Sequence, residues 1–209
     1  MLLTGFDAFG GAAVNPSWLV AAALDKRRIA KHGVVAAQLP TVFGESLREL
    51  ARLMKLHRPV LVICLGQAGG RSAISLERVA INVDDARIAD NAGAQPIDNA
   101  VVEGAPAAYF TSLPIKAMVQ ALHKAGVAAE VSQTAGTFVC NHVFYGLMHR
   151  LATRRAFACT RGGFIHLPLL PEQGTPSMPL EVMVRAVRSA IRCALVTTTD
   201  LRRGAGALS

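Results

Sequence analysis

At 209 residues the chain is long enough for one domain with a sizeable core and short for two. Hydrophobic residues at 52% against 17% charged exclude a disordered chain, and no apolar run approaches the ~20 residues of a membrane-spanning helix. Twenty-two Lys and Arg against fourteen Asp and Glu leave a formal +8, but aromatics are only 5% and the basic residues are not clustered among them, which argues against nucleic acid. Arg48, Arg52 and Lys55, and again Arg185, Arg188 and Arg192, recur at helical spacing as solvated faces. The opening MLLTGFDAFGG lacks a basic stretch and reaches Asp7 early, so it is not read as a secretory signal, and a cytoplasmic location is expected.

In chain order, Leu2 to Phe6 reads as a strand running into glycine-rich turn chemistry, with Asn15 or Ser17 capping a helix through Leu24. Val34 to Leu39 reads as a second strand. Leu47, Leu50 and Met54 mark a helix that Pro59 ends after His57, and Val60 to Leu65 is a fully buried strand. From Gly66 to Pro106 the rhythm breaks: alternating Val79, Ile81 and Val83 suggest one extra strand within a long loop. A helix from Ile115 to Lys124, a strand from Ala128 to Ser132, a helix from Thr137 to Leu151 and a strand from Gly163 to Leu169 follow. Leu180, Val184, Val187, Ile191 and Leu195 then trace the apolar stripe of a last helix. Strands alternating with helices predict an α/β fold, a three-layer α/β/α sandwich on a mainly parallel, mixed sheet. The whole chain, 1–209, is taken as one catalytic domain, with residues 198–209 as a frayed tail.

The four cysteines show no CxxC pair and no zinc spacing, and are expected to be reduced. Cys64 and Cys193 sit in apolar patterns as small core residues. Cys140 differs, because Ala135-Gly136-Thr137-Phe138-Val139-Cys140 places it in the first turn of a helix after a glycine turn. Free backbone N–H groups and the positive helix end there lower a thiol pKa and can receive an oxyanion. A small buried residue is the alternative reading. Thiol catalysis also needs a histidine. His142 and His149 share the Cys140 helix but project elsewhere, whereas His166 is carried by a strand that Pro168 halts, where crevice residues sit; a satisfied core histidine is the alternative. For the carboxylate that orients an imidazole, Glu77, Asp84, Asp85 and Asp90 compete, and a salt bridge from Glu77 to an arginine is the plain alternative.

The segments Leu2-Leu3-Thr4-Gly5-Phe6-Asp7, Phe9-Gly10-Gly11, Asn15-Pro16-Ser17, Gly66-Gln67-Ala68-Gly69-Gly70-Arg71, Glu77-Arg78-Val79-Ala80-Ile81-Asn82 and Ala135 to His142, with His166 before Leu167-Pro168, stand in unbroken order. Together they resemble pyroglutamyl peptidase type I. The resemblance implies a Cys-His-Glu triad, carried here onto Cys140, His166 and Glu77. It further implies a slot for the pyrrolidone ring matched by Phe6, Phe9, Ile88, Phe138 and Val139, with Gln67 nearby and Arg87 near the reacting carbonyl. No metal or organic cofactor is implied. The implied substrates are peptides with an N-terminal pyroglutamyl residue, and a homo-oligomer, taken as a tetramer, is expected. Ala8 departs from the pattern, standing where proline is common. Two other readings remain: a small-amide or lactam hydrolase with the same triad, and a non-enzymatic basic binding protein.

Overall fold

The structure, a computed structural model, describes residues 1–206. In chain order it contains β1 (Leu2–Phe6), α1 (Pro16–Ala23), β2 (Arg28–Ile29), β3 (His32–Gly33), β4 (Val35–Leu39), α2 (Glu45–His57), β5 (Leu61–Gln67), β6 (Ile74–Glu77), β7 (Val79–Ile81) and β8 (Ala108–Phe110). There follow α3 (Ile115–Lys124), β9 (Ala129–Ser132), α4 (Val139–Thr153), β10 (Arg161–Leu167) and α5 (Leu180–Val196). Six strands form the central sheet in the order β4-β1-β5-β10-β6-β9. The first four are parallel; β6 joins β10 antiparallel and β9 parallel, so the sheet is mixed.

Alternation along the strands divides the core. Leu3, Ile63, Leu65 and Ile165 face α1, α3 and α5, while Leu2, Val62, Cys64 and Phe164 face α2 and α4. Helices therefore cover both faces, as parallel pairing requires. The local signals act as their chemistry demands. Pro16 opens α1 behind the Asn15 cap, whose side chain accepts from Ser17 N at 3.0 Å. Arg58 closes α2 in the left-handed region just before Pro59.

The region from Gly66 to Pro106 holds more order than alternation reveals. Its first strand, β6, reads Ile-Ser-Leu-Glu with all four residues buried, and it belongs to the central sheet. Glu77 is thus a sheet residue and not part of a loop that precedes a strand. The expected strand at Val79 to Val83 ends at Ile81 and pairs with the unforeseen β8 in a separate two-stranded sheet. Asn82 ties the rest together, donating to Val102 O at 2.9 Å and accepting from Val102 N at 2.9 Å. A small hairpin, β2 with β3, was also absent from the sequence reading.

The tail makes contacts with the body of the fold up to Gly206. Asp200 accepts from the backbone N–H groups of Lys116 and Ala117 at 3.1 and 2.9 Å, capping α3, which has no side-chain cap of its own. Arg78 donates to Ala205 O at 3.0 Å. Arg203 to Gly206 line a hollow of about 360 Å³ with Ala129, Glu130 and Val131 of the outer strand β9. Residues 207–209 of the expected frayed tail lie outside the described residues. At the opposite sheet edge, Asp25 accepts from the N–H of Ala36 in β4 at 2.9 Å. No helix among the described residues is long and apolar enough to cross a membrane.

Candidate active site

Three segments converge at the carboxyl ends of β5 and β10, the place where open α/β sheets form crevices. On β10, His166 pairs in register with Gly66 of β5 and Ser75 of β6. Glu77 lies two residues beyond Ser75 and so shares its face of the sheet. His166 Nδ1 and Glu77 Oε1 are 2.8 Å apart, both groups buried. That bond fixes the tautomer: the carboxylate accepts from Nδ1–H, which keeps the ring proton on Nδ1 and leaves Nε2 with a lone pair. Nε2 makes no hydrogen bond to the protein among the described residues. Phe164, on the same face, holds the imidazole from below with ring centroids 4.8 Å apart.

Cys140 reaches the same face from α4. A Cβ placed on Gly66 would lie 2.8 Å from Cys140 Sγ and 2.8 Å from the Phe164 ring, so the missing side chain is what admits the sulfur beside the strand that neighbours His166. Gly136, at φ +76°, makes the turn into the helix. The cap residue Phe138 offers no side-chain acceptor, and the first backbone bond of the helix is His142 N to Phe138 O at 3.1 Å. The N–H groups of Val139, Cys140 and Asn141 are therefore left free of backbone partners.

Electrostatics overturn one expectation. Cys140 is half-buried, and burial around its sulfur pushes the thiol up to about 12; the Glu77 carboxylate pushes the same way and the Arg71 guanidinium opposes both. The helix end favours thiolate but is outweighed by burial, with the Glu77 carboxylate adding to it. The resting sulfur is a thiol, and its proton must leave during attack.

The other acidic candidates resolve by position. Asp84 pairs with His142, Asp85 exchanges backbone contacts with Thr137, and Asp90 holds Phe43 N at 2.9 Å. None of them touches His166. Glu77 Oε1 also accepts from Arg71 Nη1 at 2.7 Å, so the salt bridge weighed as an alternative coexists with the histidine bond. Arg71 in turn donates to Thr134 O at 3.0 Å, anchoring β6 to the approach of α4. The sequence reading passed over Arg71 as a site residue, although it closes the glycine-rich block after β5.

Among the ring-slot residues, Phe9 and Phe138 are partly exposed and meet with centroids 5.9 Å apart. Ile88 is 47% exposed, with its Cδ1 3.9 Å from a Cβ built on Gly10. Phe6 and Val139 are sealed in the core instead; Phe6 leans on Phe164 at 6.3 Å and backs the site from inside. Arg87 is exposed and makes no hydrogen bond among the described residues. Gln67 ends β5, accepts from Gln173 at 3.3 Å, and lines a hollow of about 360 Å³ with Ala12, Val14 and Leu169. Phe43 was missed: it lies edge-on to Phe138 at 5.4 Å. Its place in the turn between β4 and α2, at a strand's carboxyl end, was the available signal.

Known proteins match the chain over nearly its whole length. A sequence model of the pyroglutamyl peptidase family matches residues 1–197. The pyrrolidone-carboxylate peptidase of Cupriavidus taiwanensis is 58% identical over 213 aligned positions, covering 100% of this chain and 98% of that protein. The crystal structure of pyroglutamyl peptidase I from Bacillus amyloliquefaciens superposes with a TM-score of 0.95 at 48% identity, covering 97% of this chain and 98% of that one. Pyrrolidone carboxyl peptidase from Thermococcus litoralis gives 0.89 at 37% identity over 93% of this chain and 92% of that one. With a thiol at a helix start, a carboxylate-held imidazole and matches of this extent, the chain belongs to the pyroglutamyl peptidase family of cysteine peptidases.

Proposed function

We propose that this chain hydrolyses the amide bond that follows an N-terminal pyroglutamyl residue, with Cys140 as nucleophile, His166 as acid and base, and Glu77 orienting His166. The observation that carries the reading is the buried Glu77–His166 bond, which leaves Nε2 as a free lone pair on the face where Cys140 Sγ sits against Gly66. Nε2 takes the Sγ proton as sulfur bonds to the scissile carbonyl carbon, and the oxyanion is received by free N–H groups at the start of α4. Collapse breaks the C–N bond, and the leaving amine takes the proton from His166. Water then gives a proton to Nε2 and attacks the thioester; the C–S bond breaks and sulfur recovers its proton. Burial holds the resting sulfur toward the thiol form, which fits a route in which Nε2 takes the proton as attack begins.

Substrate choice follows from the slot. Pyroglutamate is a neutral lactam without a free α-amino group, so partly exposed aromatic walls at Phe9 and Phe138, with Ile88 across from Gly10, fit it better than a carboxylate-lined pocket would. Arg87, one residue from Ile88 and exposed, is the residue that the family resemblance sets near the reacting carbonyl. Phe6 and Val139 support the slot from the core, with Gln67 flanking it. The relatives named pyrrolidone-carboxylate peptidase support the same substrate class. The whole chain acts as one catalytic domain needing no metal or cofactor, in the cytoplasm, as a homo-oligomer taken as a tetramer. Light scattering at micromolar concentration that shows only monomer refutes that last point.

The test compares turnover of a pyroglutamyl fluorogenic amide with prolyl and glutaminyl analogues. Turnover confined to the lactam supports the proposal. Preference for free lactams or simple amides points to the small-amide hydrolase, and no turnover of any amide leaves the basic binding protein.

A further inference from the structure

The helix that carries Cys140 carries a second buried imidazole, His142, and the catalytic scheme above does not use it. His142 Nδ1 is 2.7 Å from Asp84 Oδ2, and its Nε2 accepts from Gly44 N–H at 2.9 Å. The two bonds define one state: a neutral ring with its proton on Nδ1, because Nε2 must offer a lone pair to a backbone donor. Both side chains are buried, at 5% for His142 and 6% for Asp84, and Asp84 Oδ1 is buried with no partner. A half-satisfied buried carboxylate is costly to keep, and such features persist where a site depends on them.

What the pair joins is informative. Gly44 follows Phe43, whose ring lies edge-on to both Phe138 at 5.4 Å and His142 at 5.3 Å. Phe138 in turn faces Phe9. Asp84 opens the segment that reaches Arg87 and Ile88, and its neighbour Asp85 is bonded to Thr137 through N–H to O at 2.9 Å and Oγ1 to O at 2.7 Å. Asn141 clamps the same segment with bonds to Ile81 and Val83. Three chain segments, each bearing a wall of the slot, thus meet at one imidazole.

We propose that Asp84 and His142 form a positioning pair that sets the Phe43–Phe138 wall of the ring slot through the His142–Gly44 bond, and so governs capture of the lactam ring without entering the chemistry. The inference rests on the function proposed above and names a further determinant of specificity for that site. Asp84 acts by fixing the tautomer: an Asn there could present its NH2 to Nδ1 and force a proton onto Nε2, against Gly44 N–H.

The experiment uses the full chain, the pyroglutamyl amide, and iodoacetamide labelling of Cys140. In His142→Gln the amide oxygen can still reach Gly44 N–H, whereas the shorter amide of His142→Asn reaches only the Asp84 side. His142→Asn and Asp84→Asn are expected to raise KM about tenfold with kcat and the Cys140 labelling rate within about threefold of the parent, while His142→Gln stays within about threefold in KM. Phe43→Leu, which trims the wall and leaves the pair intact, is expected to raise KM in the same way, and it carries the test if His142→Asn fails to fold. Unchanged KM in folded His142→Asn, or in Phe43→Leu, overturns the inference. So does a fall in kcat and labelling rate at constant KM, which would put His142 in the proton path. A parent chain that turns over no pyroglutamyl amide sinks the proposed function and this inference together; a parent that does, with variants like it, sinks this inference alone.

Discussion

Two buried histidine–carboxylate pairs lie within one fold, Glu77–His166 and Asp84–His142, at 2.8 and 2.7 Å. Burial, distance and tautomer are nearly the same, yet the two roles proposed for them differ. The difference is at the far nitrogen. In His142 it is consumed by Gly44 N–H; in His166 it has no partner among the described residues, and Cys140 Sγ lies against Gly66, the register partner of His166 on β5. A carboxylate partner therefore does not identify a catalytic base. What identifies it is a lone pair left unspent in a crevice.

The largest effect should break that comparison. His166→Ala and Cys140→Ser are expected to reduce kcat by about a thousandfold or more, whereas His142→Gln keeps kcat near the parent value. Steady-state kinetics on the pyroglutamyl amide decide it. If His166→Ala stays active, the free nitrogen has been misjudged.

One step down, Glu77→Gln should lower kcat on the order of tenfold to a thousandfold with KM little changed, because a misoriented imidazole wastes the base. Asp84→Asn should do the reverse, moving KM and sparing kcat. Equal kcat losses in the two variants would erase the distinction between the pairs.

The thiols allow a smaller test. Burial pushes Cys64 up to about 12, as it does Cys140, but Cys64 lies within the core with no imidazole beside it. The unfolded thiol ionises near ~8.5, so the folded state holds its proton more tightly. Stability from this source is complete below that pH and is lost as pH climbs toward about 12, at up to about 1.4 kcal/mol per pH unit for each such thiol. Denaturant titrations from pH 9 upward should show a shallower decline in Cys64→Ala than in the parent. Identical slopes would mean that Cys64 ionises alike in both states.

Furthest from both pairs, Asp200→Ala removes the cap on α3 and should cost about 1 kcal/mol by thermal or urea unfolding, with kcat and KM unchanged. A null effect would return the tail to the frayed state first expected of it.

The parallel half of the sheet was legible because its strands are apolar runs bounded by Gly and Pro, and such runs are buried on both faces. β6 was not legible. Its Ile-Ser-Leu-Glu alternates as a half-exposed strand would, yet Ser75 and Glu77 are buried as fully as Ile74 and Leu76, so the pattern does not announce a strand inside the central sheet. Cys140 and His166 were singled out by local setting, but the choice of Glu77 over Asp84 rested on family resemblance, since only the register of β6 against β10 puts Glu77 within reach of the imidazole. The Asp84–His142–Gly44 connection joins residues remote in sequence through a backbone N–H, for which no residue type codes. Nor could spacing show that Arg185, Arg188 and Arg192, which read as a solvated helix face, meet Arg28 around one hollow of about 340 Å³.

The two edges of the sheet bear on how such an enzyme meets extended peptides. Unfolded peptides are extended chains that add readily to any open strand, and a sheet with bare ladder groups would collect them away from the catalytic crevice. Here the outer strand β4 has its Ala36 donor occupied by Asp25, and the outer strand β9 runs beside the returning tail, Arg203 to Gly206. One ladder donor of β4 is thus closed to an incoming strand, and an extended peptide approaching β9 meets the tail across the hollow, so each flank offers less open ladder than a bare edge would.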